Sequence, residues 1–195
     1  MNPKQMKNIL YIHGLNSDKN SSTFKILKSS LKDYNWYTDT FDLLDTNATT
    51  HHIEEIIRTN QITTVVASSL GAFYGLNIRD SLAKILINPC MKPSIEIPKL
   101  ADNVNVEAFE KMEDDIYSNI DSELRMCTYS VFGDRDELFD YSEMFTQLYG
   151  KNFIRVSGGH ILDNETLLSS VQSGLHCFDE LNKKLEMLDS LSDTI

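Results

Sequence analysis

A serine on a corner of small residues, an acidic turn and a histidine behind two glycines succeed one another along this chain. They are Ser69 in "ASSLG", Asp134 and Asp136 in "GDRDELFD", and His160 in "SGGH". Together these residue types can run nucleophilic acyl transfer. A serine hydroxyl is a poor nucleophile near neutral pH and needs a base within hydrogen-bond reach. An imidazole base needs a carboxylate behind it, to fix its tautomer and to stabilise the imidazolium that forms. Charge developing on the attacked carbonyl oxygen needs backbone N–H groups aimed at it. The residue after the serine supplies one such donor. The loop "HGLN", after the first apolar run, would supply the other.

Each position has a competitor. The strand-to-helix turn that exposes a nucleophilic serine reads G-x-S-x-G. Here Ala67 replaces the first glycine, and Gly71 puts Ser69 at the centre. Taking Ser68 instead would put Leu70 at the second small position, so Ser69 is preferred. Asp134 and Asp136 both fit the acid, and either could be a turn aspartate bonded to its own backbone. Asp140 stands near a helix start, where a carboxylate is favourable in any case. His51 and His52 open a helix, His176 lies within the last one, and His13 borders the HGLN loop, where it shapes the turn. No metal-ligand spacing links His13, His51 and His52, and no metal is expected.

For these residues to meet, several strand ends must converge. "NILYIHG", "WYTDTFDL", "ITTVVAS", "AKILINP", "RMCTYSVFG" and "NFIRVSGG" read as strands: short apolar or β-branched runs stopped by glycine, proline or polar residues. Helical spacing marks "SSTFKILKSSLKDY", with Phe24, Leu27 and Leu31 on one face and Ser21 or Ser22 as cap. It also marks "TTHHIEEIIRT", "SLGAFYGLNIRDSL", "VEAFEKMEDDIYSNI", "DYSEMFTQLYG" and the long stretch from Glu165 to about Leu188. Pro93 and Pro98 make "CMKPSIEIPKLADNVNVE" mostly loop. Strands alternating with helices imply right-handed crossovers and a parallel sheet covered on both faces. Ligands of such sheets collect at the carboxyl ends of the strands, where all the candidate residues fall. Serine, acid and histidine in that order at strand ends is the arrangement of α/β-hydrolases. The expected fold is therefore an α/β-hydrolase-type three-layer sandwich of about six mostly parallel strands.

The 195 residues suit a single domain, 1–195. No apolar run reaches the roughly 18 residues of a membrane span, and the N-terminus lacks the apolar core of a signal peptide. A cytoplasmic protein is expected. A formal charge of −11 disfavours nucleic acid and anionic membrane surfaces as partners. Cys90, Cys127 and Cys177 are odd in number and widely spaced, and are read as reduced thiols. The acidic end "MLDSLSDTI" is expected to fray.

"ILYIHGLNS", "ASSLGAFYG", "ILINPCMKP", "GDRDELFDY" and "SGGH" resemble the block motifs of the YqiA-like esterases, small α/β-hydrolases without a large cap. The resemblance runs from about Asn8 to His160 and, less strongly, through the last helix. It implies carboxylic ester hydrolysis without a cofactor. It matches Ser69 to the nucleophile, Asp136 to the acid, His160 to the base, and the backbone N–H groups of Leu15 and Leu70 to the oxyanion hole. Ala67 and Ala72 depart from the family pattern, as does the stretch from Ser94 to Asn119. The segment 90–120 stands where α/β-hydrolases place lids and could be a small lid or a fixed wall. Asn16, Phe73, Met91 and Tyr141 fall near strand ends and are candidate pocket-lining residues. The expected partner is a small-molecule acyl ester or thioester. Two other readings share these residues: an acyltransferase, with an alcohol in place of water, and a non-catalytic binding module.

Overall fold

A computed structural model of the chain describes residues 6–192. The element order is β1 (Lys7–Ile12), α1 (Ser22–Ser30), β2 (Tyr34–Tyr37), α2 (Thr46–Thr59), β3 (Thr64–Ser68), α3 (Leu70–Asn77), β4 (Ala83–Ile87) and α4 (Pro93–Glu96). A single 3₁₀ turn at Ile97–Lys99 follows. Then come α5 (Val106–Ser118), α6 (Ser122–Met126), β5 (Thr128–Gly133), α7 (Ser142–Tyr149), β6 (Phe153–Val156) and α8 (Asn164–Ser192). The six strands form one sheet in the order β2-β1-β3-β4-β5-β6, and every pairing is parallel.

The pleat decides the layers. Successive side chains of a strand point to opposite faces, so Leu10, Ile12, Val65, Ala67, Leu86 and Phe132 enter one buried cluster with residues of α2, α3, α5 and α7. Ile9, Tyr11, Val66, Ile85, Ile87 and Val131 enter the other, against α1 and α8. Both faces are covered, which is why the strands read as continuous apolar runs rather than alternations. The strand order reverses direction between β1 and β3. Their crossover helices leave on opposite faces, opening a crevice at the two carboxyl ends.

Local chemistry sets several boundaries away from the expected ones. β2 lies earlier, at Tyr34–Tyr37, because only that stretch pairs with Lys7–Leu10 of β1. The rest of "WYTDTFDL" leaves the sheet, with the Thr38 hydroxyl donating to the Tyr11 carbonyl at 2.9 Å. Helix α3 ends at Asn77, since Ile78 is already extended. The prolines of "CMKPSIEIPKLADNVNVE" open short helical turns instead of excluding them: Pro93 starts α4 and Pro98 lies in the first positions of the 3₁₀ turn. A proline there gives up only an N–H that would be unpaired anyway. Helix α6 was not expected; Asp121 caps it by accepting from the Leu124 N–H at 2.8 Å. The acidic C-terminal stretch is helical through Ser192, and 193–195 lie outside the described residues. Among the described residues no helix is long and apolar enough to cross a membrane.

A lysine is buried inside this frame. Lys84 of β4 is 1% exposed, and its Nζ donates to the Asp80 carbonyl at 3.2 Å. Burial pulls its pKa down from 10.5 to about 8. Between those two values the unfolded chain holds a proton that the folded one has released, so this group makes stability rise with pH across that window. Urea unfolding of wild type and Lys84→Met should show wild type gaining stability relative to the variant as pH rises from about 8 to about 10.5. A constant difference would mean that Lys84 keeps an ordinary pKa.

Candidate active site

Ser69 stands alone between β3 and α3, with φ 53° and ψ −125°. A non-glycine residue in such a conformation costs about 1–3 kcal/mol unless its surroundings hold it there. Here the main chain does so. The Ser69 N–H donates to the Ile87 carbonyl at 3.0 Å, and its carbonyl accepts from the Ala72 N–H at 3.0 Å and the Cys90 N–H at 3.1 Å. The turn also brings α3 hard against the end of β1. A Cβ on Gly71 would lie 2.2 Å from the His13 carbonyl oxygen and 2.6 Å from that of Ile12. Ala67, which replaces the first glycine of the motif, is fully buried. Its methyl faces the glycine at position 75, where a Cβ would stand 3.5 Å away.

The two serines of the corner have different surroundings. Ser68 still belongs to the pleat, and its hydroxyl lies 3.0 Å from the Tyr11 hydroxyl. Ser69 has left the pleat, and its Oγ lies 2.9 Å from His160 Nε2. His160 Nδ1 lies 2.8 Å from Asp136 Oδ2. The other carboxylate oxygen, Oδ1, accepts from the Leu138 N–H at 2.9 Å and the Phe139 N–H at 3.2 Å. Side-chain exposure is 2% for Asp136 and 11% for His160. The Phe139 ring meets the imidazole edge to face, with centroids 4.9 Å apart. Asp134 is turned elsewhere. It accepts from the Gly158 N–H at 3.0 Å, which holds its carboxyl below the usual carboxylate range. Asp140 accepts from the Ser142 N–H at 2.9 Å and pairs with Arg155.

The glycines before His160 do not leave its loop free. Asn88, at the end of β4, is 2% exposed, and its amide donates to the Gly159 carbonyl at 3.1 Å and to the His160 carbonyl at 2.8 Å. Its side-chain oxygen accepts from the Gly133 N–H at 2.7 Å. Glu137 accepts from the His160 N–H at 3.0 Å, and that bond holds its carboxyl below the usual range. Neither Asn88 nor Glu137 had a role on sequence grounds. The signal for Asn88 was a polar residue between an apolar strand and a proline, in "LINP".

The Leu70 N–H opens α3, where first-turn donors have no partner within the helix. Leu15 borders the same small cavity as Ser69 and His160, which measures about 260 Å³. Beside it, the buried His13 ring engages the Gly14 carbonyl through Nδ1 at 2.8 Å and accepts the Phe41 N–H on Nε2 at 3.0 Å. Burial lowers its pKa, so it stays neutral and braces the turn. The candidate pocket residues fall elsewhere. Phe73 and Met91 are fully buried in the core; Asn16 is exposed, with φ 59°; and Tyr141 is half-buried, its hydroxyl donating to Glu96 at 2.9 Å. None of the four lines the cavity beside Ser69, because that cavity opens toward α1 and α8. A larger cavity of about 520 Å³, between α2 and the end of α3, has no Ser69, Asp136 or His160 on its wall. Among the described residues no group of three or more His, Cys, Asp or Glu is placed to hold a metal ion.

The architecture recurs in solved structures. Est1E from Butyrivibrio proteoclasticus matches with a TM-score of 0.64 at 16% identity, over 93% of this chain and 90% of that one. MGS-MChE2, an α/β-hydrolase enzyme from a sediment metagenome of the Mar Chica lagoon in Morocco, matches with a TM-score of 0.62 at 14% identity, over 91% and 93%. The thioesterase domain from the curacin biosynthetic pathway matches with a TM-score of 0.51 at 14% identity, over 89% and 92%. At such identities the likeness is one of fold, the α/β-hydrolase fold. No curated protein matches the chain. A family model described as uncharacterised protein family UPF0227 matches residues 8–157.

Asn88→Ala should strand the buried Gly133 N–H and cut both ties to the His160 loop. A loss of about 1–3 kcal/mol in urea unfolding is expected. Deuterium exchange should quicken at residues 157–161 more than in α3. Equal quickening in both places would mean that Asn88 serves general stability alone.

Proposed function

The chain belongs to the UPF0227 family, the YqiA-like group expected from its motifs, and on that footing we propose that it is a serine esterase acting on an ester or thioester of a small carboxylic acid. The observation that carries the reading is the relay from Ser69 Oγ through His160 to Asp136, at 2.9 and 2.8 Å. Ser69 Oγ attacks the acyl carbon while His160 Nε2 takes its proton. Asp136 holds Nδ1–H and stabilises the imidazolium. The N–H groups of Leu15 and Leu70 receive the oxyanion. His160 then returns the proton to the leaving group, and water, activated by the same imidazole, releases the acid. The strained backbone of Ser69 supports this reading, since strain of that kind persists only where something over-determines it. Ferulic acid, a carboxylic acid, has been found bound to Est1E, which fits the same class of product.

A fluorophosphonate probe should label Ser69 and no other serine, and labelling should vanish in His160→Ala. Turnover should fall by about 10⁶-fold in Ser69→Ala and by about 10⁴-fold in Asp136→Asn. Labelling at Ser68, or hydrolysis surviving in Ser69→Ala, would overturn the assignment.

A further inference from the structure

The cavity beside Ser69 has an unusual wall. Besides Ser69 itself, six hydroxyl side chains line it: Tyr11, Ser17, Ser21, Ser22, Thr23 and Ser68. They come from the ends of β1 and β3 and from the loop and first turn leading into α1. No aspartate, glutamate, lysine or arginine is among the lining residues. The apolar part of the wall includes Ile87, Leu162 and Leu167.

The wall is also set in place before any ligand arrives. Tyr11 is 1% exposed, and its ring stacks on Phe24 with centroids 6.0 Å apart. Its hydroxyl lies 3.0 Å from that of Ser68, with the Thr23 and Ser21 hydroxyls beside it. Burial raises the Tyr11 pKa, so the phenol keeps its proton. Ser21 Oγ accepts from the Phe24 N–H at 3.2 Å, which leaves its own proton to donate. Each hydroxyl can both give and take a hydrogen bond.

Three ligand properties follow. A charged group would find no aspartate, glutamate, lysine or arginine here to balance it. A plain hydrocarbon group would displace water from the exposed Ser17 and Ser22 hydroxyls and offer the rest of the hydroxyl wall no partner. At about 260 Å³ the space is below the roughly 300–1,000 Å³ that drug-sized ligands occupy. We propose that this cavity binds the uncharged, hydroxyl-bearing part of a small ester, with the Tyr11 and Ser68 hydroxyls as its recognition pair. The proposal rests on the esterase reading above and deepens it. It also gives the second serine of the corner a part to play, since Ser69 reacts and Ser68 helps to select.

The hydroxyl can sit on the acyl or on the alcohol side of the scissile bond, and two ester pairs separate these sources. One compares p-nitrophenyl β-hydroxybutyrate with p-nitrophenyl butyrate; the other compares glycerol monobutyrate with propyl butyrate. In wild type, kcat/KM should favour the hydroxylated member of one pair by at least about tenfold. Tyr11→Phe, which keeps the stacked ring, and Ser68→Ala should each pull that ratio toward one. Fluorophosphonate labelling of Ser69 is run on the same samples. Labelled wild type without a preference in either pair would overturn this proposal and leave the esterase reading standing. A preference that survives in both variants would overturn the assignment to Tyr11 and Ser68. Folded wild type that neither labels nor hydrolyses any of the four esters would overturn both.

Discussion

Much of this molecule follows from holding one serine in a conformation it would not adopt alone. Ser69 has a positive φ, and three main-chain hydrogen bonds tie it to the ends of β4 and α3. Those bonds exist only if β3 and β4 pair in register and α3 returns tightly over β1. The tight return in turn requires a glycine at position 71, where two carbonyl oxygens leave no room for a Cβ. The strain is therefore offset by the packing of the sheet centre. A reactive group mounted there inherits the rigidity of the core instead of the mobility of a loop.

His160 is held by a different means. Its loop carries two glycines and follows the edge strand of the sheet, a setting that by itself would be mobile. Polar side chains replace packing. Asn88 reaches across from β4 to two carbonyls of the loop, Asp134 takes the Gly158 N–H, and Glu137 takes the N–H of His160 itself. A buried amide with every partner present is directional in a way that apolar contact is not. It fixes where the backbone lies, and with it the line from imidazole to Ser69. The acidic turn after β5 thus divides its labour: Asp136 meets the ring, while its neighbours hold the backbone that carries the ring.

The stretch after β4 is tied into the same frame. Cys90, Met91, Ile97, Phe109 and Ile116 are buried with the core. Glu113, 3% exposed, accepts from Lys92 Nζ and from the Ser94 N–H, each at 2.9 Å. The Tyr117 hydroxyl donates to the Met91 carbonyl. A buried carboxylate with both oxygens engaged resists opening, because separation would strand a charge. The cavity beside Ser69 lies on the opposite face, against α1 and α8, so this segment does not roof it.

The residues alone made much of this legible. The alternation of short apolar runs with amphipathic segments required a parallel sheet covered on both faces, because a two-sided strand has no polar side to expose. The glycine at 71 set the register of the corner and so favoured Ser69 over Ser68. A serine, an acidic turn and a histidine at three strand ends pointed to one site. Tertiary structure decided what depends on pairing and direction. Asp134 and Asp136 are equivalent as residue types two positions apart, and only the course of the turn aims one at His160 and the other at Gly158. Phe73 and Met91 lie near strand ends in sequence yet face the core, since α3 and the turn after β4 point them inward. Asn88 and Tyr11 act across distances of 72 and 57 residues along the chain. No local pattern encodes such contacts, because the partner is set by which strands lie side by side.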